Sequence, residues 1–361
     1  MKLTPRPRQS GIALIIVLIV IVVLGILAGG FAYTMRVETT LARNASFNTE
    51  LDWIGRAGVG YCQWLLSQAC PQEPYDALNQ AWAKGMGGRC TNDAVMAQVA
   101  VGNGSFTWEI VDQDRFLNIN RVDEMLLKEA LTIIGVDAGQ MTTIVNSILD
   151  WRDLDPNPRV SGTESEVYEQ QDPPYRAKDG PFDDLSELLL IRGVTPGMYR
   201  GSSGAPVSRI VNRSAGQQSV FEEPVYAIGM KDIFCTLSGP TVNINTAQAS
   251  VLQTIPGCDE NVAQAIIQAR SGPDGVSGSP DDEPFVSAGQ LLMKVPGLPI
   301  DPNMLARFFG VRSMVFKAEV TATIGSASRK YVAYIRRVGA AGRGLDTRVI
   351  TYYSVDSDSP R

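Results

Sequence analysis

The stretch RPRQSGIALIIVLIVIVVLGILAGGFAYTMRVE, residues 6–38, decides how the rest of the chain is read. No residue from Gln9 to Met35 carries a charge, a run of 27 residues. Arg6 and Arg8 precede it, and Arg36 and Glu38 follow. As a helix, Ile12 to Met35 would be roughly 36 Å long at about 1.5 Å per residue. That length crosses a hydrocarbon core of about 30 Å, with Ile12, Leu18, Val23 and Leu27 among its anchoring side chains. Lys2, Arg6 and Arg8 stand before the span with no acidic residue among them. By the positive-inside rule the short N-terminus is expected in the cytoplasm and the large C-terminal part outside it, in a single-pass arrangement.

Three readings of the run compete. A cleaved secretory signal has an apolar region of about 7–15 residues and a small-residue cut site; this run is longer and has no such site. A plain signal anchor is the second. The third rests on the junction Arg8-Gln9-Ser10-Gly11 followed by Ile12-Ala13-Leu14-Ile15. A short basic leader ending in glycine before an apolar helix resembles a type IV prepilin site. That resemblance implies cutting by a prepilin peptidase between Gly11 and Ile12, methylation of the new terminus, and retention of the helix. Most pilins carry Glu at the fifth mature position, where Ile16 stands here. A buried carboxylate in the bilayer is costly unless paired, and a subunit without one suits the end of an assembly.

Composition narrows the function. The 361 residues give room for two or three domains, and hydrophobic and charged contents of 44% and 19% are globular. A net charge of −6 argues against a nucleic-acid binder. The chain has no histidine, which removes Ser-His-Asp and Cys-His catalysis within it, and no nucleophile motif or phosphate loop stands in their place. No enzymatic activity is expected. The five cysteines contain no C-x-x-C pair, which speaks against zinc. In an oxidising compartment Cys70–Cys90 and Cys235–Cys258 are candidate disulfides.

Helical periodicity continues past Arg36 through Leu41, Ala45, Leu51, Ile54, Trp64 and Leu65, giving one helix over about Ile12 to Gln68. A loop follows from Pro71, with a short helix near Tyr75–Trp82. A hairpin is expected from 95–101 and 105–111 about Gly102-Asn103-Gly104. Strands resume only at 314–324, 329–337 and 348–353, with turns at 325–328 and 339–344. The segment between is helical and carries an internal repeat. Leu117-Asn118-Ile119-Asn120 opens one copy and Val242-Asn243-Ile244-Asn245 the other. Each leads to an apolar helix, a turn (Gly135-Val136-Asp137 or Pro256-Gly257-Cys258-Asp259) and a second helix ending in Arg152 or Arg270. Each then closes on Pro181-Phe182 or Pro284-Phe285 and a further glycine, Gly193 or Gly297.

The expected fold is therefore α+β: a pilin-like long N-terminal helix with an antiparallel sheet, and a large inserted α-helical domain of two repeated SAM-like or helix-hairpin-helix-like subdomains. The expected division is leader 1–11, membrane and assembly helix 12–70, sheet domain 71–115 with 311–361, and helical subdomains 116–230 and 231–310. The Asn-Ile-Asn-Thr-Ala segment at 243–247, the Asp-Trp-x-Asp-x-Asp stretch at 150–155 and the two Pro-Phe closings resemble the K-type minor pseudopilin of the type II secretion system. The resemblance implies a subunit at the pseudopilus tip that starts assembly and limits length. It implies an inner-membrane anchor, a periplasmic domain, and as partners the I-type and J-type minor pseudopilins, other pseudopilins and the inner-membrane secretion platform.

Two candidate sites remain. From Asp150 to Glu187 there are 11 acidic and 4 basic residues. Asp150, Asp153, Asp155, Glu164 and Glu166, in a loop with Pro156, Pro158 and Gly162, offer oxygen ligands suited to a hard cation such as calcium; the resemblance points the same way. The spacing is not that of an EF-hand, and a solvated acidic loop is the plainer reading. Asp274, Asp281 and Asp282 form a weaker counterpart. The turn at 256–259 also resembles the helix-hairpin-helix of membrane-anchored DNA-uptake receptors. That motif brings backbone N–H groups to a phosphate, and here Asp259 and Glu260 would repel it, so no nucleic acid is expected.

Overall fold

The structure, a computed structural model, describes residues 10–68, 73–85, 97–202, 225–296, 301–338 and 346–355. The basic leader, Cys70, Cys90, residues 95–96, Gly297 and the 339–344 turn lie outside the described residues.

Helix α1 runs from Ser10 to Ser67, 58 residues, with no proline inside it. Thr34, Thr39 and Thr40 each donate their hydroxyl to the carbonyl four residues back, at 3.0, 2.7 and 2.9 Å. This satisfies polar groups on the helix itself. Its first half stands exposed among the described residues: Leu18, Val23 and Leu27 are 61%, 47% and 64% exposed. The helix is long and apolar enough to cross a membrane.

The second half of α1 packs on a five-stranded antiparallel sheet. The strands are β1 (Gln98–Val101), β2 (Gly104–Asp112), β7 (Val315–Ile324), β8 (Ala327–Val338) and β9 (Asp346–Val355), adjacent in that order. Between β2 and β7 in sequence lie four two-residue strands: β3 (Leu117–Asn118), β4 (Phe234–Cys235), β5 (Val242–Asn243) and β6 (Phe309–Gly310). Alternation on β2 and β7 turns Phe106, Trp108, Ile110, Phe316, Ala318, Val320 and Ala322 toward α1. Leu51, Ile54, Cys62, Leu65 and Leu66 meet them from the helix. Close approach needs glycine: a Cβ on Gly55 would stand 2.5 Å from the Tyr331 ring, and one on Gly58 would overlap Val320 Cγ1.

Those contacts orient the sheet. Ile54 lies beside Gly104 and Ile324, whereas Gly58, a turn further from the membrane span, lies beside Val320 and Phe106. Moving away from the span therefore leads toward the end of β2 at Asp112, which pairs with Phe316 near the start of β7. The helical insertion leaves and re-enters the sheet at that end, away from the apolar half of α1 and so membrane-distal if that half spans a bilayer.

Within the insertion, helices α2 (Glu124–Ile134) and α3 (Ala138–Arg152) build the first copy. The short Ala249–Leu252 helix and the Glu260–Arg270 helix build the second. Each copy is closed by a parallel strand pair, β3 with β4 and β5 with β6. The β3–β4 pair ties Phe234–Cys235 to the first copy. One continuous apolar core fills both, from Ile119, Leu127 and Ile148 to Ile244, Leu252 and Ile266.

Candidate functional site

The repeat is visible atom by atom. Asn118 Oδ1 accepts from the Asn120 N–H, and Asn243 Oδ1 from the Asn245 N–H, both at 3.0 Å. Asn120 exchanges two bonds with Phe182, donating to its carbonyl at 3.0 Å and accepting from its N–H at 2.7 Å. Asn245 does the same with Phe285 at 3.0 and 2.8 Å. Arg152 donates to the carbonyls of Ile119 and Val122, both at 2.6 Å. Arg270 donates to those of Ile244 and Ala247 at 2.5 and 2.7 Å. The Asn residues thus hold the Pro-Phe closing in place. The sequence marks both arginines at matching helix ends but gives no sign of their role.

A buried polar junction joins the sheet to the second copy. Asp112, 1% exposed, accepts from Asn243 Nδ2 at 3.2 Å, Thr246 Oγ1 at 2.5 Å and Ser313 Oγ at 2.6 Å. Asp76 accepts from the Ser313 N–H at 2.8 Å and pairs with Arg337. Asp114 accepts from the N–H groups of Gly239 and Met314 at 2.6 and 2.7 Å. Burial, then the charge of Asp112, pushes the Asp114 carboxyl up to about 7 against those two N–H donors. Asp112 is also raised, first by burial. None of these three aspartates belongs to a motif, and Asp76 sits in the stretch expected to be a short helix, where the structure has helix only as a single 3-10 turn at Ala81–Ala83.

The acidic loop is partly assembled. The Asp150 side chain is fully buried and accepts from the Thr163 N–H at 2.8 Å and from Arg159 Nη1 at 2.7 Å. A Cβ at Gly162 would overlap Asp150 Oδ2, so glycine is required there. Arg159 also pairs with Asp153. Glu164 is 6% exposed. Its Oε1, Asp153 Oδ1 and Asp179 Oδ1 are buried without a hydrogen-bond partner among the described residues. Burial, then the charges of Asp150, Asp179, Asp153 and Asp155, raises the Glu164 carboxyl to about 7. Asp155 is exposed and occupied by Asn157, whose N–H and Nδ2 donate to it at 3.0 and 3.1 Å. Glu166 is exposed in the Ser165–Tyr168 helix, while Asp179, 29 residues from Asp150 in sequence, joins the group. Three orphaned buried oxygens of hard-ligand type fit a cation such as calcium. In the present arrangement no three His, Cys, Asp or Glu residues among those described surround a common point. In the second loop Asp281 and Asp282 accept from Asp274 N–H at 3.1 Å and Gly278 N–H at 2.7 Å, and the loop is closed on itself.

One sequence expectation changes. Cys235 and Cys258 do not pair: both are buried free thiols, Cys235 in β4 of the first copy and Cys258 in the turn of the second. Burial pushes each up to about 12. The hairpin turns behave alike in both copies. Gly135 and Gly257 take φ of 91° and 83°, and Asp137 and Asp259 then cap the next helix at Gly139 and Val262, both at 2.8 Å. The N–H group that a phosphate would meet at the second turn is thus held by a carboxylate. Gly11 and Ile12 lie in the first turns of α1.

Comparison with known proteins agrees with this architecture. A family model described as "Type II secretion system (T2SS), protein K" matches residues 111–202, and one described as "Helix-hairpin-helix motif" matches residues 238–277. Type II secretion system protein K of Klebsiella pneumoniae is 26% identical over 209 residues, covering 54% of this chain and 60% of that protein. The protein of the same name from Pseudomonas aeruginosa is 23% identical over 283 residues, 76% of each chain. A chain of the GspK-GspI-GspJ complex from enterotoxigenic Escherichia coli shares the fold, with a TM-score of 0.63 and 16% identity over 88% of this chain and 99% of that one. The interrupted sheet with its twofold helical insertion and these matches together make the chain similar, in sequence and in fold, to type II secretion system protein K.

Proposed function

We propose that this chain is a minor pseudopilin at the tip of a type II secretion pseudopilus, where it starts assembly and limits length. The observation that carries the reading is the helical insertion at the membrane-distal end of the sheet. In a filament built by stacking parallel helices, a domain at that end occupies the space of the next subunit. Ile16, an apolar residue where most pilins carry a carboxylate, places no demand on a subunit beyond. After cutting between Gly11 and Ile12, α1 would leave the inner membrane with its apolar half buried against other subunits, and the sheet and helical domains would stand in the periplasm. The partners on this reading are the I-type and J-type minor pseudopilins, in keeping with the printed composition of the structurally similar complex. The work is assembly, not catalysis.

The acidic loop serves this role structurally: Asp150, Asp153, Glu164 and Asp179 would hold a calcium ion and stiffen the first helical copy. Co-purification tests the assembly reading. Full-length tagged chain, expressed with the I-type and J-type subunits and extracted in detergent, is expected to retain both. Recovery of the chain alone, while those two remain paired, would contradict it. The helix-hairpin-helix match leaves DNA retention as the competing outcome. A gel shift whose strength falls steeply with salt would favour it.

A further inference from the structure

Arg159 is set where a cation would act. Its guanidinium joins the buried Asp150 carboxylate, at 2.7 Å, to Asp153. Asp150 is fully buried, yet the Arg159 side chain is 41% exposed, so the charge enters the group from solvent rather than from the core. The other nearby arginine, Arg152, has its two terminal nitrogens engaged by the carbonyls of Ile119 and Val122. Arg159 thus pairs directly with Asp150 and Asp153, whose charges, with that of Asp179, also act on Glu164. One positive charge does not satisfy four carboxylates. Glu164, 6% exposed, keeps an oxygen with no partner among the described residues, as do Asp153 and Asp179.

We infer that Arg159 is a built-in stand-in cation, which a divalent ion displaces when it binds the loop. This rests on the proposed calcium site and adds the group that sets its affinity. With the guanidinium in place, Asp150 and Asp153 are turned to Arg159 and the carboxylates do not share a centre. With the guanidinium swung into solvent, a short path from a side chain already at the surface, their oxygens join the orphaned ones of Glu164 and Asp179 around one ion. Apparent affinity is then reduced by the fraction of molecules in the Arg159-bound state.

The test uses full-length chain in detergent, with Arg159→Met, which keeps the apolar stem, and Arg159→Lys, which keeps the charge without the fork. Calcium chloride titration calorimetry and thermal unfolding, in EGTA and in calcium, are read for each. The expected result has two parts. Arg159→Met binds calcium at least tenfold more tightly than the wild type, with Arg159→Lys between. In EGTA Arg159→Met melts below the wild type, and in calcium the two converge. Wild-type binding with unchanged or weaker affinity in Arg159→Met, its melting lowered equally in EGTA and calcium, overturns the stand-in role and leaves the calcium site standing. No binding by any of the three overturns both.

Discussion

Arg270 performs for the second helical copy the service that Arg152 performs for the first, each clamping two carbonyls of its own Asn-Ile-Asn segment. The burial differs: Arg270 is 6% exposed, whereas Arg152 is half-buried. Removing Arg270 strands two carbonyls in the core, where a hydrogen bond to a charged group contributes about 1.5–3 kcal/mol. Arg270→Met is expected to cost about 2–4 kcal/mol in urea unfolding, and Arg152→Met less. Equal or negligible costs would show that the clamps do not hold the copies together.

The packing of α1 on the sheet gives a paired expectation. Gly58 faces Val320 without room for a Cβ, and Gly60 faces open space. Gly58→Val overpacks the contact and is expected to destabilise by about 1–3 kcal/mol. Gly60→Ala gains helix propensity, up to about 1 kcal/mol. Thermal unfolding of the two variants should therefore move in opposite directions.

The junction makes stability depend on pH. Asp114 ordinarily titrates at 3.8 and is raised to about 7 in the fold. Between those values the folded chain keeps a proton that the unfolded chain has lost, so stability falls as pH rises through the window. Asp112 shifts in the same direction. Glu319 behaves oppositely: burial raises it, Lys317 and Lys330 more than offset that, and it sits at about 2. Its contribution is lost only as pH falls below 4.5, outside the window. In EGTA, urea unfolding followed by tryptophan fluorescence should show the chain more stable at pH 5 than at pH 8, by about 1–3 kcal/mol. A flat or rising profile would count against a buried, proton-holding junction.

Calcium should raise the melting temperature of the wild type, with EGTA reversing the effect. Glu164→Gln is the variant to compare, because Glu164 Oε1 has no hydrogen-bond partner among the described residues. It is expected to melt at least as high as the wild type in EGTA and to lose most of the calcium shift. Asp155→Ala, at an exposed residue held by Asn157, should keep it. A calcium shift retained in Glu164→Gln would remove Glu164 from the site.

Much of the architecture is legible from residue patterns because its signals are long. The apolar run and its proline-free continuation delimit a helix over 12–68, and the structure has it from Ser10 to Ser67. Alternation locates the β2, β7, β8 and β9 strands to within a few residues, and the paired Asn-Ile-Asn segments give the duplication. What is not legible depends on contacts between distant residues. Two-residue strands such as β3 and β4 carry no periodicity. Asp179 joins Asp150 and Glu164 only through the fold, while Glu166, two residues from Glu164 in sequence, is turned outward by its short helix. Cys235 and Cys258 are 23 residues apart, a spacing that suits a bridge, but they belong to different copies.

The proposed place of this subunit is the end of the filament. It is tested most directly by labelling assembled pseudopili through a tag inserted beside Val276, which is 59% exposed in the loop of the second copy. Electron microscopy of gold-labelled filaments is expected to show label at one end only, with the tagged chain still supporting secretion. Label spaced along the shaft would contradict the account.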